Sequence, residues 1–214
     1  MTSPEREHGE DRFENLAARL RAGEVVADEE LDLVYPPTLR AVSRAYFSPV
    51  KVARRAAELL VDGAAMRVMD VGSGAGKFCL VGALTTGASF VGVERRARLV
   101  DVAADAARKL GVNSARFVVG GIDAIEPAEH DALYFFNPFL ENLWPAAEWL
   151  DAAVELSPAQ FDRDVALTLA LLGRARAGTR VATYNGIGVK MPETYRLLAR
   201  EWHMAAYLDL WVKE

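Results

Sequence analysis

Two carboxylates and the glycine-rich turn between them form the stretch whose residue types and spacing most directly suggest chemistry. Residues 67–78, RVMDVGSGAGKF, join an apolar strand that ends in Asp70 to a turn and a predicted helix. The turn contains three glycines, Gly72, Gly74 and Gly76. Glycine permits a sharp turn and lets a ligand approach the backbone at the N-terminus of the helix. A second predicted strand, SFVGVE at residues 89–94, ends in Glu94, and this arrangement is typical of a site for a ribose-bearing ligand in a doubly wound sheet.

Three kinds of ligand are bound by such glycine turns, and the flanking residues distinguish them. A P-loop requires serine or threonine after its lysine, but Lys77 precedes Phe78, and the first glycine would fall on Val71. A dinucleotide fingerprint would need its third glycine at Lys77, and Asp70 would repel a pyrophosphate. S-adenosyl-L-methionine has no phosphate and carries a sulfonium and an ammonium, which an acid at the strand end attracts. Asp70 therefore favours this methyl donor.

The two motifs also resemble a known family. DVGSGAGK, which begins at Asp70, and GVE, which ends at Glu94, resemble motifs I and II of the class I S-adenosylmethionine-dependent methyltransferases. The resemblance covers most of the chain and implies S-adenosyl-L-methionine as cofactor, with S-adenosyl-L-homocysteine as product. It also implies that Asp70 and the glycine loop bind the methionine end, while Glu94 binds both ribose hydroxyls. A non-catalytic cofactor-binding domain and a nicotinamide-dependent oxidoreductase are the alternatives.

Further residues become candidates for the donor site through the same resemblance. Asp123 corresponds to the acid at the adenine edge, with Ile122 stacked on the ring, although an acid that caps a short helical turn is an equal alternative. Tyr46 begins an aromatic-Ser-Pro segment that resembles an element lying over the cofactor, or it is an ordinary core aromatic. The candidate cofactor-binding residues are Tyr46, Asp70, Gly72, Ser73, Gly74, Gly76, Lys77, Glu94, Arg95, Ile122 and Asp123.

A second candidate for chemistry follows the predicted fourth strand, residues 132–136. Asn137, Pro138 and Phe139 come at its carboxyl end, where loops of this kind of sheet carry binding sites. The tripeptide resembles the Asn-Pro-Pro-Tyr/Phe segment of amino-group methyltransferases, in which the amide oxygen and a proline carbonyl accept hydrogen bonds from the target amine and an aromatic ring stacks on it. It lacks the second proline of that segment. An asparagine here is also loosely similar to one class of lysine methyltransferases, and Asn-Pro is a common turn dipeptide.

Charge and histidine placement limit the partners and the mechanism. Arg95, Arg96 and Arg98 open a predicted helix, and such a cluster is more often a solvated face than a nucleic-acid site. The net charge of −5 disfavours a dedicated duplex-DNA binder without excluding nucleic acid. None of the three histidines is a compelling general base, which agrees with a reaction dominated by positioning. The expected acceptor is a small molecule or a protein, and the expected state is a monomer or homodimer.

Residues 141–157 have features of a lid or insertion, with two tryptophans and a helix predicted from Pro145. Ser157 and Pro158 then predict the start of another helix, as N-cap and first helical residue. The side chains expected to point inward from that helix are Phe161, Val165, Leu169 and Leu172. We therefore expect a covering segment followed by an ordinary amphipathic helix.

Length and composition bound the domain organisation. The 214 residues, 51% of them hydrophobic, suit one α/β domain with an extension. We expect an N-terminal tail and helical cap at residues 1–62 and one compact domain at residues 63–214. No run of about 18 apolar residues predicts a membrane span, and the start lacks the apolar core of a signal peptide, so a cytoplasmic protein is expected. Cys79, the only cysteine, excludes an internal disulfide and a cysteine-built metal site, and we expect it to be buried.

The N-terminal region is predicted to be frayed over residues 1–11 and helical from Phe13. A short helix is predicted after Asp28, itself a candidate cap. Ser48 is predicted to cap a later helix, with Pro49 at its first position. These helices would form a cap before the first strand.

The whole pattern predicts an α/β fold: a doubly wound, mostly parallel, seven-stranded Rossmann-like sheet with an N-terminal helical extension. Residues 195–202 and 205–212 are predicted as the last two strands, joined tightly at His203 and Met204 and forming the antiparallel edge that the resemblance implies. A helix over residues 195–200 is the competing prediction, because a proline precedes it.

Overall fold

A computed structural model describes residues 4–63 and 66–214, with side chains from residue 11 onward. It contains one sheet of seven strands in the order β3-β2-β1-β4-β5-β7-β6. The strands are β1 (Arg67–Val71), β2 (Ser89–Glu94), β3 (Ala115–Val119), β4 (Ala132–Phe136), β5 (Arg180–Tyr184), β6 (Tyr195–His203) and β7 (Ala206–Lys213). The first five strands are parallel, and β7 runs antiparallel to both β5 and β6. The predicted doubly wound, mostly parallel fold is confirmed.

Helices cover both faces of this sheet. They are α1 (Pro4–Arg21), α2 (Asp28–Leu31), α3 (Pro37–Arg40), α4 (Ser43–Tyr46), α5 (Val50–Leu60), α6 (Lys77–Thr86), α7 (Ala97–Lys109) and α8 (Pro158–Arg174), with short 3-10 turns between several of them. One apolar core joins α1, α5, α6 and α7 to one face, and a second core forms on the opposite face under α8. None of the helices in residues 4–63 and 66–214 has the length and apolar character of a membrane span.

The N-terminal region differs from the prediction in two ways. Helix α1 begins at Pro4, well before Phe13, while residues 1–3 of the predicted frayed segment lie outside the described residues. Ser48 does not cap α5, because its hydroxyl is hydrogen-bonded to the Tyr134 hydroxyl at 2.8 Å. The amide of Val50 instead donates to the carboxylate of Asp28 at 2.9 Å. The cap of α5 therefore comes from a distant segment, which short-range sequence patterns do not reveal.

The C-terminal half follows the prediction more closely. The last two strands are confirmed and the competing helix over residues 195–200 is wrong, because both strands complete the sheet edge. Ser157 caps α8 by accepting a hydrogen bond from the Gln160 amide at 3.1 Å, as predicted. Pro145, in contrast, precedes only a 3-10 turn of three residues, Ala146–Glu148.

Candidate active site

The order of the strands places three loops at one edge of the sheet. Strand β1 lies between β2 and β4, so the loops that follow these three strands meet at their carboxyl ends, where the direction of winding reverses. A cavity of about 250 Å³ opens there. Nine of the predicted site residues line it: Tyr46, Gly72, Gly74, Glu94, Arg95, Ile122, Asn137, Pro138 and Phe139.

The glycine loop contacts the Asn-Pro-Phe segment directly. Gly72 has φ +74°, and a Cβ on it would lie 2.7 Å from Cβ of Pro138. Gly74 has φ +54°, and a Cβ there would lie 3.1 Å from the Phe47 ring. L-residues with side chains rarely adopt this left-handed conformation. Gly72 and Gly74 are thus required both by the backbone conformation and by close neighbours.

Glu94 connects the end of β2 to the glycine loop. Its side chain is 7% exposed and lines the cavity. One carboxylate oxygen accepts from the Gly74 amide at 3.1 Å and the other from the Arg96 amide at 2.9 Å. Because a carboxylate has about four acceptor positions, Glu94 can order the loop and still accept hydrogen bonds from a ligand.

Asp70 lies near the end of β1, on the same face of the sheet as Glu94, beside a small second cavity that also includes Ser73 and Gly72. Burial raises the pKa of Asp70 to about 7, a shift that the nearby Glu94 reinforces and a hydrogen bond from Cys79 opposes. The Cys79 thiol is 3.5 Å from its carboxylate, and Cys79 is buried as predicted. Within the described part of the chain, no ion pair involves Asp70. A cationic group beside it would favour the ionised carboxylate.

Ser73 adds a second unsatisfied polar group to this recess. Its hydroxyl is buried and has no hydrogen-bond partner among the described residues. Buried polar groups are normally paired, and exceptions call for a functional explanation. Ser73 therefore offers a free donor and acceptor close to Asp70.

Five candidate residues do not line the main cavity: Asp70 and Ser73 lie beside the small second cavity, and the other three are Lys77, Gly76 and Asp123. Lys77 is 2% exposed, and its ammonium group pairs with Asp28 at 2.5 Å and Asp32 at 2.8 Å, so it faces the N-terminal helices. Gly76 packs under Phe117, whose ring would lie 2.5 Å from an added Cβ. Asp123 is exposed. The structure thus gives Lys77 and Gly76 packing roles and leaves Asp123 outside the cavity.

The Asn-Pro-Phe segment lines the side of the cavity next to the glycine loop. Asn137 has φ +39°, and in residues 4–63 and 66–214 its side-chain amide makes no hydrogen bond. Phe139 lines the cavity and also packs in the second core. A non-glycine residue in the left-handed region is uncommon and concentrates at functional sites. Asn137 therefore presents a free amide to the cavity.

Arg96 was predicted to lie on a solvated face, and this is wrong. Its side chain is 8% exposed, forms a bidentate pair with Glu141 at 2.9 Å and contacts Asp151 at 2.9 Å. Asp151 also accepts a hydrogen bond from Arg98 at 2.8 Å. Burial raises the pKa of Asp151, but the hydrogen bonds from these arginines outweigh burial and lower the pKa to about 2. These ion pairs attach residues 141–157, here called the cover segment, to the loop after β2.

The cover segment also contacts the N-terminal helices at the wall of the cavity. The ring of Trp144 packs edge-on against that of Tyr46, with centroids 5.4 Å apart. The Tyr46 hydroxyl donates to the backbone carbonyl of Glu148. Tyr46 therefore joins the N-terminal helices to the cover segment, which makes it part of the cavity wall.

Sequence reasoning did not single out several of the lining residues. They are Phe47, Arg96, Leu99, Glu141, Asn142, Asp164 and Asn185, among others. Asp164 is the most distinctive, because it is a buried carboxylate on α8, whereas Leu169, which was expected to point inward, is only half-buried. An acid within an apolar stripe was the available signal. Asn185 follows β5 with φ +58°, and the Asn-Gly turn at this position was its signal.

Comparison with protein-family models gives a match for part of the chain. Residues 62–140 match the family model described as a methyltransferase domain, a stretch that runs from before β1 through Phe139. A comparison with curated protein sequences gives no match.

Several solved structures share the fold. An RNA methyltransferase from Salinibacter ruber, solved with S-adenosyl-L-homocysteine, is 22% identical with a TM-score of 0.56, covering 78% of this chain and 92% of its own. TrmN from Thermus thermophilus is 17% identical with a TM-score of 0.61, covering 83% of this chain and 52% of its own. The putative methyltransferase yhhF from Escherichia coli is 13% identical with a TM-score of 0.55, covering 77% and 86%. Residues 62–140 thus match a methyltransferase-domain model, and the chain has the fold of the class I S-adenosylmethionine-dependent methyltransferases.

Proposed function

We propose that this protein transfers a methyl group from S-adenosyl-L-methionine to an amino nitrogen of a small molecule or protein. One observation carries the proposal: the glycine loop, Glu94 and Asn137 open into the same cavity, with Gly72 packed against Pro138. The relative from Salinibacter ruber was solved with S-adenosyl-L-homocysteine, the product of such a donor. Donor and acceptor groups would therefore meet where β1 and β4 end.

The residues present fit the donor. Glu94 is a buried carboxylate with acceptor positions to spare for two ribose hydroxyls. Asp70 lacks a cationic partner among the described residues and would gain one in the donor's ammonium, with the Ser73 hydroxyl nearby. When bound, the donor supplies an already activated methyl group. The chain's own residues then have to orient the reacting atoms and exclude water.

The acceptor side is built for orientation. Asn137 lines the cavity with a left-handed backbone, and its amide oxygen could accept a hydrogen bond from an amino group there. Tyr46, Trp144 and Phe139 form an aromatic wall around it, and the cover segment limits the access of water. We infer that catalysis depends mainly on positioning, with a deprotonated amine as the nucleophile.

Binding measurements test the donor assignment first. Calorimetric titration with S-adenosyl-L-methionine should show binding, whereas titration with NADH should not. Glu94→Ala should weaken donor binding by about 2 to 3 kcal/mol, because charge-assisted hydrogen bonds to both hydroxyls are lost. The variant should also lower the melting temperature slightly, since the Gly74 and Arg96 amides lose their acceptor. Exposed Glu14→Ala serves as the control. Binding of NADH in place of the donor would refute the proposal.

Transfer of a labelled methyl group tests the acceptor. Purified protein and labelled donor are incubated with separated protein, RNA and small-molecule fractions of a cell extract, and the labelled product is analysed for the methylated atom. Label on nitrogen of a small molecule or protein supports the proposal. Label confined to oxygen, carbon or RNA would leave the donor assignment intact and refute the acceptor class.

A further inference from the structure

Asp164 is a buried carboxylate that lines the main cavity. It lies in the middle of α8 and is 4% exposed. One carboxylate oxygen, Oδ1, accepts from the side-chain amide of Gln160 at 2.9 Å. The other, Oδ2, is ion-paired with Nη2 of Arg95 at 3.2 Å but accepts no hydrogen bond from the described residues. Because each carboxylate oxygen has about two acceptor positions, Oδ2 can accept a hydrogen bond from a ligand in the cavity while it stays paired with Arg95.

The position of this oxygen relative to Glu94 indicates which part of a ligand it would meet. Arg95 directly follows Glu94 in the chain and contacts Asp164 across the cavity. Ile122, which is buried, lines the same cavity. Because Arg95, Ile122 and Asp164 line the same cavity as Glu94, a nucleoside whose ribose binds Glu94 could place its base against these three residues.

Asp123, the other candidate acid for this wall, has the opposite properties. It is exposed and does not line the cavity. Its side chain lies close to its own loop, since a Cβ on Gly121 would lie 2.5 Å from Oδ1 of Asp123. Asp164 comes instead from a helix that follows β4, outside the loop after β3. Asp164 therefore has access to the cavity, whereas Asp123 does not.

We propose that Oδ2 of Asp164 accepts a hydrogen bond from the exocyclic amino group of the donor's adenine and that Asp164 is the residue that selects an aminopurine. This inference rests on the proposed function. An ionised carboxylate only accepts hydrogen bonds. A purine that carries an oxo group at that position would place acceptor against acceptor and leave both unpaired. Polar sites of this kind discriminate strongly against the ligand that lacks the matching group.

The test compares two product analogues, S-adenosyl-L-homocysteine and S-inosyl-L-homocysteine, by calorimetry. The wild-type protein should bind the adenosyl compound at least about tenfold more tightly. Asp164→Asn should remove or reverse that preference, because the amide nitrogen can donate to the oxo group. The matched control Asp123→Asn should keep the wild-type ratio. Since each ratio is measured within one protein, a modest loss of stability in a variant does not affect it.

The outcomes separate this inference from the proposed function. Equal affinity of the wild-type protein for both compounds overturns the inference whether or not any variant folds. Adenosyl preference that is kept in Asp164→Asn and lost in Asp123→Asn also overturns it and assigns the role to Asp123. Either result leaves donor binding established. Failure of the wild-type protein to bind both compounds refutes the proposed function itself, and this inference with it.

Discussion

The glycine loop and the cover segment face each other across one cavity and are stabilised in different ways. The loop is fixed by backbone geometry and by short hydrogen bonds: Gly72 and Ser73 amides both donate to the Val93 carbonyl at 3.0 Å, and Gly74 donates to Glu94. The cover segment has only short 3-10 turns and is attached through side chains, chiefly the pairs of Arg96 with Glu141 and Asp151. The glycine loop, on the side proposed for the donor, is therefore held by local backbone conformation. The cover segment, on the other side of the cavity, depends on ion pairs with residues that are distant in sequence.

This difference predicts that the two sides can be perturbed separately. Changes in the ion pairs should loosen the cover segment and leave donor affinity nearly unchanged. Changes in the loop should affect donor binding and stability together. The contact between Gly72 and Pro138 is where the two sides should influence each other.

The largest loss of stability is expected for Arg96→Met. Removing a buried cation from two carboxylates should reduce the free energy of unfolding by about 3 kcal/mol and increase proteolytic cleavage within residues 141–157. Donor affinity should change little, because Glu94 accepts from the backbone amide of residue 96. Arg98→Met is the control, since Arg98 is 51% exposed and such a pair contributes about 0 to 1 kcal/mol. A parallel loss of donor affinity would contradict the independence of the two sides.

Asp70→Asn should change the pH dependence of stability. The folded-state pKa of about 7 lies above the ordinary value of 3.8, so the ligand-free protein loses stability as pH rises from about 4 to about 7. At pH 8 the variant should be more stable than the wild type by up to about 4 kcal/mol, and at pH 4 the two should be similar. Urea denaturation at both pH values measures this.

Donor binding provides the second half of this prediction. Wild-type affinity should increase with pH through about 7, as the carboxylate ionises and attracts the ammonium, and Asp70→Asn should lack this increase. Asp101→Asn, on the exposed side of α7, is the control. A wild-type affinity that does not vary between pH 5 and pH 8 would contradict the role of Asp70.

Gly72→Ala should lower stability by about 2 kcal/mol, because it adds a left-handed alanine to a contact of 2.7 Å with Pro138. Donor affinity and transfer rate should both fall, since the loop and Asn137 are displaced together. Gly173→Ala is the matched control: nothing lies within 4 Å of its added Cβ and it is helical, so stability should be equal or slightly higher. Melting curves and calorimetry compare them, and equal behaviour of the two variants would show that the contact is unimportant.

The smallest effect is expected for Asn137→Gly. Glycine keeps the positive φ of +39° at little cost, so the melting temperature and donor affinity should remain near the wild-type values. The single-turnover rate should fall about tenfold or more, because the lost hydrogen bond belongs to the reacting centre. Asn137→Ala should show the same loss of rate together with a lower melting temperature. An unchanged rate in the glycine variant would mean that only the turn matters.

Sequence patterns predicted the positions of β1, β2 and β4 well, because apolar runs next to glycine or acid leave few alternatives. They also placed Gly72, Glu94 and Asn137 at strand ends that the topology brings together. They could not predict the burial of Arg96, since its partners lie 45 and 55 residues later in the chain. The inward acid of α8 was missed for a related reason: Asp164 faces a cavity rather than a core, and helical periodicity does not distinguish the two.

The pairing of Lys77 with Asp28 and Asp32 has a consequence for synthesis and truncation. The helices before residue 62 are made first, but their carboxylates gain this cation only after the glycine loop and the start of α6 have been translated. A chain shortened to residues 63–214 would lose both counter-charges of Lys77 and would expose the apolar side of α6 that packs with α1 and α5, which is strongly destabilising. We therefore propose that the helices before residue 62 and the domain after it fold together as one cooperative unit.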